Sequence, residues 1–176
     1  HLEEVLDQCE VSYEILVVVD GDSETLEAAR LLTSTRVVIW HYPNNQGKGF
    51  AVMTGMLRAR GSFIGFFDAG SDIDPSVWIR MLYDQRQSKT DIVVGSKRHG
   101  ESIVVYPLVR RIYSIGYQIL TRILFQISVR DTQVGIKLFR RNVIRKIAPR
   151  MLVKQFAFDI ELLALARHFG FTQIHE

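Results

Sequence analysis

The chain has 176 residues, of which 47% are apolar and 23% charged, a composition that fits one globular domain with its own core and excludes a low-complexity or fibrous chain. A single cysteine, Cys9, excludes an internal disulfide and a thiolate metal site and suits a reducing compartment. The net charge of +3 conceals an asymmetry: residues 1–90 carry 8 Lys and Arg against 13 Asp and Glu, and residues 91–176 carry 14 against 6.

An acidic half suited to a cation therefore precedes a basic half suited to anions. The basic residues are interleaved with apolar runs instead of forming a polybasic tract, which favours the phosphates of small molecules or lipids over nucleic acid. No run reaches the ~18 apolar residues of a membrane span.

In chain order, HLEEVLDQCE reads as the tail of a helix. EILVVV (14–19) is a strand rich in β-branched residues that ends at Asp20, and Asp22 or Ser23 caps a helix reaching about Leu32. RVVIW (36–40) is a second strand. The polar loop Asn44 to Gly49 leads into a helix from about Phe50 to Arg60. SFIGFFD is a third strand, Pro75 to Gln87 a helix, and DIVVG (91–95) a fourth strand.

An amphipathic helix follows Tyr106-Pro107, its apolar stretch from Ile112 to Val129 broken by Arg122 and several polar residues. A strand around Gln133 to Phe139, a short helix at 142–147 and a longer one from Phe158 to Phe169 complete the pattern. Alternation of strand and helix predicts an α/β fold with a mostly parallel sheet and helices on both faces. Both ends look cut: no strand precedes the first helix, and FTQIHE begins what reads as a further strand.

Five features lie where the crevice beyond the carboxyl ends of the strands binds ligands. Asp20 and Asp22 end the first visible strand, either as a turn and cap or as acceptors for a base or ribose. Asn44 to Gly49 offers backbone N–H groups around Gly47, and the Lys48 ammonium, to phosphates, unless it is a plain glycine turn. FFDAGSDIDP places Asp68, Asp72 and Asp74 within seven positions, and the mutual repulsion of such carboxylates is relieved by a hard divalent cation, Mg²⁺ or Mn²⁺. Asp74, beside Pro75, suits a helix cap. Ser96, Lys97 and Arg98 follow a strand, either as a diphosphate clamp or as a basic surface loop. Asp131 and Lys137 lie in RDTQVGIK, where polar groups enter an apolar segment. The five histidines show no metal-ligand spacing.

VVVDGDSET, NNQGKGFAVMTGMLRARG, FFDAGSDIDP, DIVVGSKRH, VRDTQVGIKLFRRNV and FAFDIELLALA occur in that order. Together they resemble the family 2 glycosyltransferases, specifically the dolichyl- or polyprenyl-phosphate sugar synthases. The resemblance implies a GT-A fold and a single catalytic domain, truncated at both ends. It implies metal-assisted, inverting transfer of a hexose from a nucleotide sugar of UDP-glucose or GDP-mannose type to a polyprenyl phosphate, at the cytoplasmic face of a membrane.

Within that resemblance Asp68 takes the first acidic position of the metal motif, and Asp20 the nucleotide-contacting position. Gly70 replaces the usual second acid, which leaves Asp72 as the candidate second ligand. Lys137 replaces a frequent arginine, keeping the charge and losing the bidentate fork. Lys48, Lys97, Arg98 and Lys137 would share the phosphate charge, with Asp68, Asp131 and Lys137 as the catalytic candidates.

Arg110, Arg111, Arg122 and Arg130 around the amphipathic helix at 107–129 suit either an interfacial element or an ordinary core-packing helix. Two rival functions share the sheet and the acidic site: a sugar-phosphate nucleotidyltransferase, and a nucleotide-binding fragment without activity.

Overall fold

A computed structural model describes residues 1–68, 73–95, 129 and 132–176. The expectations that fall on Asp72, Ser96, Lys97, Arg98, Asp131, the four arginines Arg110, Arg111, Arg122 and Arg130, and nearly all of the 107–129 helix lie outside these residues.

The elements run α1 (Leu2–Asp7), β1 (Ile15–Asp20), α2 (Ser23–Arg30), β2 (Val37–Tyr42), α3 (Lys48–Arg58), β3 (Phe63–Phe67), α4 (Val77–Gln87) and β4 (Ile92–Val94). After the segment between, they continue with β5 (Ile136–Arg140), α5 (Arg141–Ile147), a 3₁₀ turn (Ala148–Arg150), α6 (Phe158–His168) and β6 (Ile174–His175). Among the described residues the order matches the pattern read from the sequence, with ends shifted by at most three residues.

Local chemistry explains these boundaries. Asp22 caps α2 by accepting from the Thr25 amide at 3.0 Å. Asp74 accepts from the Ser76 amide at 2.8 Å. Pro75 lies in the turn before α4, whose N-cap is Ser76, so the helix starts two residues later than the proline suggested. Lys48 opens α3 directly after Gly47.

The strands form two hydrogen-bonded groups. β1 and β2 pair in parallel, Ile15 with Val37 through Asp20 with Tyr42. The other group is four-stranded in the order β3-β5-β4-β6. Here the expectation of a mostly parallel sheet needs refinement. β5 alone runs antiparallel to its neighbours β3 and β4, while β3, β4 and β6 share one direction and β4 pairs with β6 in parallel. The reversal brings the amino end of β5, not its carboxyl end, to the rim where β3 and β4 finish.

Helices cover both faces of the four-stranded sheet, as two-sided burial of β4 and β5 requires. On one face Gly65 and Phe67 meet Trp78 of α4, with the Phe67 and Trp78 rings 6.5 Å apart. On the other, Phe66 packs against Phe158 of α6 at 5.7 Å. Phe139, Ile92, Val143, Ile144, Ile147, Leu162 and Leu163 form the centre of the core.

The absence of a side chain at position 65 admits Trp78, because a Cβ there would lie 2.4 Å from the indole ring and 2.8 Å from the Lys137 carbonyl. Gly65→Ala is expected to destabilise the fold by about 1–3 kcal/mol through overpacking. A lowered urea midpoint with unchanged slope, together with a shifted Trp fluorescence maximum, checks this.

Candidate active site

Five ends converge on one rim: the carboxyl ends of β1 and β3, the amino end of β5 and the amino ends of α3 and α6. Each contributes a charge or a fixed amide. At the end of β1 the Asp20 carboxylate bridges to the 44–49 loop, accepting from the Gln46 amide at 2.6 Å and the Gly47 amide at 2.8 Å. The Asn45 side chain donates to the Asp20 carbonyl at 3.3 Å. Tyr42 lies half-buried beside this carboxylate, and desolvation first, then Asp20, pushes the phenol pKa well up. The loop amides expected to face phosphate are thus, at positions 46 and 47, already held by a carboxylate. Asp20 keeps lone pairs for a further donor.

Gly47 turns the chain into α3 at φ +100°, where an L side chain is strained, and a Cβ would lie 2.5 Å from the Lys154 carbonyl. The same carbonyl accepts from the Phe50 amide at 3.1 Å. The 151–157 loop is therefore the wall against which the glycine turn is built. Asp22, expected among the nucleotide contacts, is exposed and spends its carboxylate on capping α2.

Asp68 follows the last residue of β3, and its amide donates to the Gly135 carbonyl at 2.8 Å. Its carboxylate, about one-third exposed, is ion-paired to the Lys48 ammonium. The two residues expected to hold cation and phosphate thus hold each other. Lys48 also lies 6.0 Å from the centre of the Phe158 ring.

Lys137 stands beneath this pair. It is fully buried, donating to Asp159 at 2.5 Å and to the Val134 carbonyl at 2.8 Å, with its ammonium 5.1 Å from the Phe66 ring. A lysine so placed is sealed from the surface, with its ammonium engaged by Asp159 and the Val134 carbonyl. Burial pushes the Asp159 carboxyl up from its ordinary pKa; Lys137 and then Lys48 pull it down, and Asp68 pushes it up. Lysine and aspartate therefore alternate from the rim into the core.

Asp159 escaped the sequence reading although FAFDIELLALA was quoted for the resemblance, because an acid in the first turn of a helix reads as a dipole or capping residue. Gln155 and Glu161 escaped too. Gln155 lies where a Gly47 side chain would be, and Glu161 accepts from the Leu152 and Val153 amides at 2.8 and 2.9 Å. No spacing rule connects residues 47 and 155.

For a divalent metal the relevant donor is the Asp68 carboxylate, a hard oxygen ligand at the rim with part of its surface open. This fits Mg²⁺ or Mn²⁺, which take one or two carboxylates and complete their shells with water and phosphate oxygens. Among the described residues, no group of three or more His, Cys, Asp and Glu side chains could hold a metal ion by itself.

Comparisons with known proteins agree with this architecture. Residues 1–148 match the glycosyl transferase family 2, so the chain belongs to that family. Among curated relatives, a dolichyl-phosphate beta-glucosyltransferase of Drosophila melanogaster is 34% identical over 170 residues, covering 89% of this chain and 52% of that protein. The enzymes of the same name from Dictyostelium discoideum and Saccharomyces cerevisiae are each 30% identical, covering 89% and 88% of this chain and 51% and 52% of theirs. The chain spans about half the length of these relatives.

A solved structure, glucosyl-3-phosphoglycerate synthase from Mycobacterium tuberculosis with Mn²⁺, UDP-glucose and phosphoglyceric acid, superimposes with a TM-score of 0.60 at 14% identity. The match covers 99% of this chain and 72% of that one, and establishes a GT-A-like fold.

The buried pair yields a prediction. Lys137→Met or Asp159→Asn alone strands a buried charge and is expected to cost about 3–5 kcal/mol, whereas Lys137→Met with Asp159→Leu recovers most of the loss. Burial raises the Asp159 pKa above its unfolded value of about 3.9. Its contribution to stability is thus fully present below that value and is lost as pH rises through the folded pKa. The double variant should lack this slope. Urea unfolding of the four proteins between pH 4 and 8 measures both effects.

Proposed function

We propose that this chain forms the donor-binding part of an enzyme that moves glucose from UDP-glucose to dolichyl phosphate, with inversion, at the cytoplasmic face of a membrane. One observation carries the reading. Asp20, Lys48 and Asp68 meet at the carboxyl ends of β1 and β3, on a chain 30–34% identical to dolichyl-phosphate beta-glucosyltransferases.

In this reaction an oxygen of the acceptor phosphate forms a bond to the anomeric carbon as the bond from that carbon to the nucleoside diphosphate breaks. The acceptor needs little deprotonation, since a phosphate monoester has its second pKa near about 6. Most of the chemical difficulty lies in the negative charge that gathers on the departing diphosphate.

Lys48 is suited to that charge. Its ammonium holds Asp68 and can turn to phosphate oxygens when these arrive, so the ion pair keeps it positioned until the donor binds. Asp20 orients the loop that carries Lys48 and retains acceptor capacity for the ribose or base. Asp68, joined by Asp72, would hold a divalent ion, which when bound supplies Lewis-acid neutralisation of the diphosphate. Lys97 and Arg98 would add positive charge for the diphosphate, and Asp131 is a further candidate for the chemistry. Lys137 supports Asp159 and the field beneath.

Transfer from labelled UDP-glucose to dolichyl phosphate, with GDP-mannose as the competing donor and nucleoside diphosphate scored against pyrophosphate, tests the reading. Glucosyl lipid and UDP are the expected products. Asp68→Asn should lower transfer by roughly 100-fold or more with an unchanged circular dichroism spectrum. Full activity of that variant, or no heat of UDP binding with Mn²⁺ present, would overturn the assignment.

A further inference from the structure

The 151–157 loop combines a fixed backbone with apolar side chains left in water. Its amides at Leu152 and Val153 donate to Glu161, its carbonyl at Lys154 accepts from Phe50, and its carbonyl at Gln155 accepts from Phe158. Yet Leu152 is 84% exposed and Phe156 is 73% exposed, among the most exposed large apolar side chains of the described residues. A loop whose backbone is pinned at both ends pays little backbone ordering entropy when those side chains are buried by a partner.

The charge around it has one sign. Residues 141–158 contain Arg141, Arg145, Lys146, Arg150 and Lys154 and not a single acid. Lys146 and Arg150 lie 5.2 and 5.0 Å from the Phe169 ring, and Lys154 lies 5.5 Å from the Phe50 ring. Aromatic faces thus hold three cations beside the loop. Glu161, the nearest acid in sequence with carboxylate oxygens facing the loop, has both committed to its amides.

Protruding Leu and Phe side chains within a basic surround match the chemistry of an anionic bilayer surface, where apolar tips enter the acyl boundary and ammonium and guanidinium groups meet the headgroups. A nucleic acid would use the cations but has no place for an exposed leucine. We propose that the 151–157 loop is a membrane-docking surface that seats this chain on anionic lipid. The inference deepens the proposed function and rests on it for its purpose. The Lys154 carbonyl and Gln155 abut Gly47, so a docked loop would hold the Lys48 turn close to the headgroup layer where a lipid-borne phosphate is presented.

Co-sedimentation with phosphatidylcholine vesicles containing about 30% phosphatidylglycerol tests it. The wild type should partition, and Leu152→Ser with Phe156→Ser should lower the partition coefficient roughly ten-fold or more. Lys146→Gln with Arg150→Gln and Lys154→Gln should lower it too and remove its salt dependence. Calorimetric UDP binding is measured on every protein and should be unchanged by the loop substitutions. Its failure in the wild type would count against the donor reading alone.

Absent partitioning of the wild type, or equal partitioning of the Leu152/Phe156 variant, overturns the docking surface. So does a concentration-dependent dimer that this variant dissolves, or binding to RNA in place of vesicles.

Discussion

Two lysines and two aspartates alternate where β3, β5, α3 and α6 meet, and the surrounding structure is arranged to keep each charge paired. Lys137 and Asp159 are buried together, where either alone would be costly. Lys48 and Asp68 sit above them at the rim, partly in water. Phe66 and Phe158 pack against each other beside the two pairs and give both lysines aromatic faces to lie against. The closeness of the two levels makes the charge state of one felt by the other, as the influence of Lys48 and Asp68 on the Asp159 carboxyl shows.

That arrangement bears on how the site would receive the anionic donor proposed for it. A rim aspartate held by a lysine is neither a bare carboxylate repelling phosphate nor a permanently neutralised one. The exposed pair can separate, because water and incoming ligand groups solvate both partners, while the buried pair cannot. Lys48 and Asp68 are therefore the pair that can exchange partners at the rim, above the buried Lys137–Asp159 pair. The Asp20 bridge to Gln46 and Gly47 plays a similar part for the loop, fixing the position from which Lys48 starts.

Much of the fold was legible from strings of residues. VVVD, RVVIW and FIGFF announced strands by their β-branched and aromatic content, and Asp20 and Asp68 at the ends of the first and third marked the rim. The reversed direction of β5 was not legible, since IKLFR has the same pattern whichever way it runs. Lys137 was noticed as a charge in an apolar segment and expected near phosphate. Its depth follows from pairing with strands on both sides and from α6 overhead, none of which periodicity reports.

Taken alone, the sequence determined the α/β alternation, the acidic rim and the membership in a glycosyltransferase family, because these depend on local pattern and on residues in fixed order. Only the tertiary structure decided which charges touch. It tied Asp20 to the glycine loop, joined Lys48 to Asp68 and set Asp159 under both. The reason is physical: the cost of a buried or crowded charge depends on partners brought in from distant parts of the chain, and packing alone chooses those partners.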